Sequence, residues 1–236
     1  MLSASLRIAA KDLRLSLRGA QGLAQTALLG LLIIFVFSLS RRPGEDVSAL
    51  AASAIFWLST LFSQVLVYSG LYGLEEGNGA RMGLCMAPMP AQAVWLGKAL
   101  AGFFLVACCQ VIFGGAVVVF LGQNMLGTGV GPGSGIASGA ALVVCVLAVD
   151  LGLAILGSFM GALSAGRSTR ESILTVVFFP LIIPVLLAGI KLLEGVMLGG
   201  PEYFDWQAWL GIALSFAAVF CAASLVLFPF IYTGEE

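Results

Sequence analysis

Ionisable side chains are scarce in this chain of 236 residues, so the few that interrupt its apolar runs are the first candidates for chemistry. Charged residues make up 10% of the sequence, and histidine is absent. Glu75, Glu76 and Arg81 nevertheless fall together in the stretch GLEEGNGARMGLCMAPMP, between two long apolar runs. Such a stretch is either a solvated loop or a docking surface for another subunit.

A single carboxylate, Asp150, lies near the middle of the apolar run VCVLAVDLGLAIL. An ionised carboxylate at the centre of a membrane helix costs about 2.5–3.5 kcal/mol on insertion scales, so it should face the bundle interior or be protonated. No Lys or Arg lies at an obviously matching depth in another run. Asp150 could accept a proton, bind substrate or hydrogen-bond a Ser or Thr, and is a candidate intramembrane polar site.

Two further patterns concern helix shape and packing. Pro180 and Pro184 are four residues apart in FFPLIIPVLL, where each removes a backbone donor, so the pair predicts either a static kink or a hinge. Gly157 and Gly161 form a small-xxx-small pattern that lets helices approach closely. Packing within the chain is the favoured use of that pattern, with a dimer contact as the alternative.

The N-terminus has the pattern of an amphipathic helix in the membrane interface. Its basic residues are spaced four, three and four apart and share one stripe: Arg7, Lys11, Arg14 and Arg18. The predicted apolar stripe beside them is Leu2, Leu6, Ala9, Leu13 and Leu17. Such a helix either anchors the topology or, as an elbow helix, also guides a cytoplasmic partner.

These residues must be positioned by membrane-spanning helices. The chain is 60% hydrophobic with a mean hydropathy of +1.07, and a spanning helix needs roughly 20 apolar residues. We predict an all-α polytopic protein, with residues 1–21 as an interfacial helix and 22–236 as a transmembrane domain. The six predicted spans are about 22–39, 49–74, 92–122, 136–165, 173–193 and 207–232.

The distribution of basic residues predicts the orientation. Eight Lys and Arg residues lie on the side of the N-terminus and three on the other side, which places both termini in the cytoplasm. The same rule puts Trp95 at an inner interface and Trp206 and Trp209 at an outer one. Nucleotide-binding loops, GxSxG and HExxH are absent from the sequence, and no zinc or other metal site is indicated. We therefore expect a non-catalytic subunit.

Together these features resemble an ABC-2-type exporter membrane subunit, and more specifically the cytochrome c maturation protein B family of haem exporter subunits. The resemblance is carried by KDLRLSLRG, by EEGNGARMGLCMAPMP followed by VWLGKAL, and by GRSTRESILTVVFFPLIIPVLLAG. The last stretch is the most specific, because it combines the Arg170–Glu171 entry to helix five with two prolines at fixed spacing.

The resemblance implies a bacterial inner-membrane protein that works beside a separate ABC ATPase, which binds ATP and Mg²⁺. It also implies a haem-handling membrane protein and a haem chaperone as partners, a second copy of the chain, and haem at the level of the complex. The gap between helices two and three would be a coupling helix on the ATPase: Glu75, Glu76, Arg81, Met82, Leu84 and Pro88. Family members often have a further acidic residue near 83–86, where this chain has Gly, Leu, Cys and Met, so a more apolar contact is expected.

Three functions remain open at this point. The first is coupling of ATP hydrolysis to haem handling, either as haem export or as release of a haem-loaded periplasmic chaperone. The second is a proton-driven secondary carrier that uses Asp150, and the third is a non-catalytic assembly scaffold. Membrane lipid is an expected partner in each case, and nucleic acid is not.

Overall fold

The fold is built from helices, and six of them are long and apolar enough to cross a membrane among the residues that the structure describes. The computed structural model describes residues 1–18, 21–42, 44, 46–77, 80–126, 134–164, 168–199 and 205–233. No strand occurs in these ranges, so the predicted all-α polytopic class is confirmed. The helices are α1 (Leu2–Arg18), α2 (Gln21–Ser40), α3 (Ala49–Gly77), α4 (Ala80–Met86), α5 (Ala91–Ala116), α6 (Ser134–Ser164), α7 (Ser168–Met197) and α8 (Trp206–Thr233).

The observed helices extend past the predicted apolar runs at several ends. Helix α7 starts five residues before the predicted 173 and ends four residues after 193, and α3 continues to Gly77. Hydropathy marks only the part of a helix that lies in lipid, whereas backbone hydrogen bonding continues into the interface. As a result, Glu75 belongs to α3 and not to the loop in which the sequence placed it.

The C-terminal end of α5, which lies away from α1, continues as a π-helix. A π-helical segment, Val117–Leu121, follows it and ends at Gly122, whose φ of 70° lies in the left-handed region. At this end the Phe120 carbonyl accepts hydrogen bonds from Ser38 Oγ at 2.9 Å and from Arg41 at 3.1 Å. These bonds tie the end of α2 to the end of α5.

Helix α1 packs along the start of α5 through a face that differs from its leucine stripe. The buried residues of α1 are Ser5, Ile8, Ala9 and Asp12. A Cβ on Gly97 of α5 would lie 2.8 Å from the Ser5 carbonyl oxygen, which shows how closely the two helices approach. Within the predicted apolar stripe only Ala9 is buried and Leu13 is half-buried, while the outer members are exposed: Leu2, Leu6 and Leu17.

The face of α1 that meets the bundle is set by a buried charge. An amphipathic helix at a membrane surface can turn its leucines towards lipid as well as towards protein. Here the helix turns Asp12 towards the bundle, because a buried partner on α5 attracts it.

Tyrosines of α3 fit against glycines of α6 in the half of the bundle nearest α1. A Cβ on Gly157 would lie 2.6 Å from the Tyr68 ring, and one on Gly161 would lie 2.6 Å from the Tyr72 ring. The Tyr72 hydroxyl also forms a 2.9 Å hydrogen bond with Ser158. The prediction that these glycines serve packing within one chain is confirmed.

This packing predicts the effect of a single methyl group. Gly157→Ala should lower the free energy of unfolding by about 1–3 kcal/mol, since overpacking a rigid site costs that much. Gly211→Ala on α8 is the matched control, because a Cβ there meets nothing within 4 Å. Thermal and SDS unfolding in detergent would compare the two, and equal stability of both variants would contradict the tight α3–α6 contact.

Candidate functional site

Four charged side chains form a compact group where α1, α3 and α5 meet, and we call it the charge cluster: Lys11, Asp12, Glu75 and Lys98. Lys98 Nζ lies 3.0 Å from Glu75 Oε1 and 3.5 Å from Asp12 Oδ2. Lys11 Nζ lies 3.0 Å from Asp12 Oδ1 and 3.4 Å from Glu75 Oε1. The Lys98 side chain is 0% exposed, and both carboxylates are buried.

The cluster exists because Lys98 is the eighth residue of an otherwise uncharged helix that carries it into the bundle. A buried ammonium group is costly unless it is paired and fully hydrogen-bonded. Besides its two carboxylates, Lys98 donates a 2.6 Å hydrogen bond to the Leu71 carbonyl and lies 4.6 Å from the centre of the Tyr72 ring. Two cations and two anions balance each other there.

Helix α8 joins the same cluster through its last turn. The Tyr232 hydroxyl donates a 3.2 Å hydrogen bond to Glu75 Oε2, and its ring stacks on Phe228 at 5.2 Å. Glu75 therefore uses one carboxylate oxygen for the lysines and the other for Tyr232. A single buried residue at the end of α3 contacts α1, α5 and α8.

Among the predicted elbow residues, Lys11 behaves differently from the arginines. Burial alone would lower the pKa of Lys11, but the Asp12 and Glu75 carboxylates outweigh it, so the pKa of Lys11 is raised above the usual 10.5. The Lys11 ammonium group therefore pairs with carboxylates of the protein. The pattern of an interfacial helix alone gave no sign of this pairing. Arg7, Arg14 and Arg18 are exposed.

The predicted coupling residues divide between surface and interior. On the short helix α4, Met82 is 69% exposed, and Met86 at the end of the helix is 78% exposed. Pro88 is exposed and Leu84 is half-buried. Glu75 is buried by the charge cluster, so its carboxylate is not on the surface. The side chains of Glu76 and Arg81 lie outside the described residues.

Asp150 lies in a separate polar group inside the bundle. Its Oδ1 accepts a 2.8 Å hydrogen bond from Gln110 Nε2 of α5, a partner that was not among the three uses considered for Asp150 from the sequence. On α3, Gln64 Nε2 donates to the Leu153 carbonyl. Three buried oxygens of this group have no partner among the described residues: Asp150 Oδ2, Gln110 Oε1 and Gln64 Oε1. The void beside Asp150 and Gln64 has no room for a water molecule.

The residues predicted at helix five belong to α7. Pro180 and Pro184 lie inside this helix, which continues through both, and both are exposed. The side chains of Arg170 and Glu171 are outside the described residues. Trp95, predicted at an inner lipid interface, is instead 1% exposed and packs inside the bundle, because α1 covers this end of α5.

Sequence reasoning missed Asp12 and used Lys98 only to count charges. Both had a readable signal. Asp12 is the only acidic residue before Glu45, and it lies in a helix otherwise rich in Arg and Lys. An ionisable residue inside an apolar run requires a partner, and Asp12 and Glu75 flank the interface where Lys98 enters. Tyr232 and Gln110 carried no comparable signal.

Removing the buried cation Lys98 should destabilise the protein far more than removing the exposed cation Arg7. Lys98→Met should lower the free energy of unfolding by about 3–5 kcal/mol, because it leaves buried carboxylates with too little compensating charge. Arg7→Gln is the control on the exposed face of α1 and should change stability by less than about 0.5 kcal/mol. SDS titration in detergent measures both, and a Lys98→Met variant as stable as Arg7→Gln would contradict a tightly paired cluster.

Comparison with known proteins assigns the family. The model of the CcmB protein family matches residues 3–234. "Heme exporter protein B" of Rhodobacter capsulatus is 26% identical over 220 residues, covering 93% of this chain and 92% of that protein. The protein of the same name from Pseudomonas aeruginosa is 24% identical over 222 residues, covering 92% and 93%. The Escherichia coli K12 protein is 30% identical over 95 residues, covering 40% and 43%. A match over nearly the whole length makes this chain a member of the CcmB protein family.

Proposed function

We propose that this chain is the membrane subunit of an ABC-type haem exporter complex in cytochrome c maturation. In this role it couples ATP hydrolysis by a separate ATPase subunit to haem handling. Family membership and the name shared by the relatives support the haem exporter part. The observation that carries the coupling part is α4, an exposed short helix directly connected to the charge cluster through the end of α3.

The proposed location is the bacterial inner membrane, with α1, α4 and both termini in the cytoplasm. The excess of Lys and Arg on that side, eight against three, supports this orientation. An ATPase subunit is then on the correct side to reach α4. ATP and Mg²⁺ would be bound by that subunit.

The proposed docking surface consists of Met82, Met86 and Pro88, with Leu84 at its edge. Helix α4 lies outside the spanning helices, so its exposed methionines would face water if nothing covered them. Flexible Met side chains suit an apolar groove in a partner, and a short helix in a groove is a common mode of recognition. Glu76 and Arg81 are proposed as the polar rim, whereas Glu75 acts behind the surface.

The charge cluster offers a route for movement from α4 into the bundle. Displacing α4 pulls on the last turn of α3, where Glu75 holds Lys98 of α5 and Tyr232 of α8. Separating the buried charged groups would leave them unpaired, which is costly. These helices would therefore move together. Pro180 and Pro184 are the proposed hinge of α7, and Arg170 with Glu171 is proposed as its cytoplasmic entry.

The interior of the bundle supports release of a haem-loaded chaperone by a conformational change better than it supports passage of haem through this chain. Haem carries two carboxylates, which need cations along any path through the membrane. The described buried cation, Lys98, is already paired with two carboxylates, and Asp150 and Gln110 offer no positive charge. We therefore propose that the chain transmits movement that releases a haem-loaded periplasmic chaperone, and that haem binds elsewhere in the complex.

Charges on α4 test this function. The double variant Met82→Glu/Met86→Glu should bind the ATPase subunit of the complex at least about thirtyfold more weakly, since losing a hot-spot contact costs about 2 kcal/mol or more. Assembly of c-type cytochromes should fall with it. The readouts are co-purification of the ATPase and haem-stained cytochrome c.

The matched control is Leu198→Glu, which adds a charge to an exposed apolar residue just after the last residue of α7, on the side of the membrane proposed to be opposite α4. It should leave both readouts unchanged. If the α4 variant folds normally and still retains the ATPase and normal cytochrome c levels, α4 is not the docking helix.

A further inference from the structure

An apolar groove of about 460 Å³ opens between α1, α2, α3 and α5 on the side of the bundle next to the charge cluster. It is distinct from the α4 surface and from the Asp150 group, since none of their residues lines it. Its walls are mainly aliphatic and come from all four helices: Leu15, Leu23, Thr26, Val67, Leu71 and Leu105.

Glycines create the groove. Gly70 and Gly73 on α3 and Gly22 on α2 line it, and a Cβ on any of them would meet nothing within 4 Å. Gly97 and Gly102 differ, because a Cβ there would lie less than 3 Å from a neighbouring residue. The glycines of the groove therefore leave space open and do not bring helices together.

Two exposed arginines of α1 lie close in sequence to residues that line the groove. Arg14 and Arg18 lie next to Leu15 and close to Ser16, which line it, and both arginines are exposed. Neither forms an ion pair with any residue in the described ranges. An aliphatic groove with two cations beside it complements a ligand that has a long apolar chain and a negatively charged head.

We propose that this groove binds an anionic glycerophospholipid, with an acyl chain along the aliphatic walls and the phosphate beside Arg14 and Arg18. Basic residues at the membrane surface attract anionic headgroups, and apolar burial holds the chain. Haem has a similar combination of apolar body and negative charge. It fits less well, because the described residues that line the groove include no His, Cys, Met or Tyr to ligate iron.

The position of the groove gives the bound lipid a structural effect. Leu71 lines the groove, and its carbonyl accepts the hydrogen bond from Lys98 Nζ. An acyl chain in the groove therefore covers the side of α3 that borders the charge cluster. Removing the lipid opens this side to water.

Native mass spectrometry of the delipidated full chain tests the site, by titration with dioleoyl phosphatidylglycerol and, separately, dioleoyl phosphatidylcholine. The anionic lipid should bind more tightly. Arg14→Gln/Arg18→Gln should weaken its binding roughly twenty-five-fold and remove the preference, since each basic residue near an anionic headgroup contributes about fivefold. Gly70→Leu/Gly73→Leu should weaken both lipids more than about tenfold by filling the groove, because each buried methylene contributes roughly fourfold.

Gly211→Leu is the control, since it adds the same side chain at an open glycine on α8, and it should bind both lipids like the unaltered chain. Thermal unfolding confirms that each variant is folded, and the arginine variant decides the matter if the glycine variant is not. Equal affinity for the two lipids, or unchanged binding in the arginine or glycine variant, would overturn the proposal.

Discussion

A lysine ammonium that enters a dry helical bundle must bring its counter-charges with it, and this constraint organises the half of the molecule next to α1. Lys98 is completely buried, and its partners come from two other helices. Asp12 brings α1 against the bundle, and Glu75 keeps α3 helical beyond its apolar run. Tyr232 completes the bonding of Glu75 and fixes the end of α8. Without that lysine, α1 would have no reason to present its single carboxylate to the protein.

The same constraint explains why α1 differs from an ordinary interfacial helix. Its leucines are left on the exposed side, where lipid can cover them, while a polar and small-residue face packs on α5. The exposed arginines then remain available to lipid headgroups. Helix α4 follows the cluster directly, so the proposed input from an ATPase and the ionic junction of four helices are adjacent. The Asp150 group is a separate polar layer. Among the described residues it contains no cation, so it differs from the charge cluster.

Sequence alone predicted the architecture well, because hydropathy and length determine which segments can span a membrane. The six spans follow from composition and length, whereas a helix in the gap between the second and third spans was expected only from the family resemblance. The close packing at Gly157 and Gly161 also followed from spacing. What could not be read was which face of α1 meets the bundle, since two different stripes of that helix can be buried. Glu75 was assigned to the surface because its partners, Lys98 and Tyr232, are distant in sequence and become visible only in the fold.

Hydrogen–deuterium exchange of α1 in lipid nanodiscs tests most directly whether the charge cluster holds this helix to the bundle. The amides of Ile8 to Asp12 should exchange slowly in the unaltered chain. Asp12→Asn keeps the shape but removes one negative charge, so their exchange should accelerate at least about tenfold, which corresponds to about 1.4 kcal/mol. Unchanged protection of α1 in Asp12→Asn, equal to that in an Arg7→Gln control, would show that apolar contacts alone hold the helix and would contradict this account.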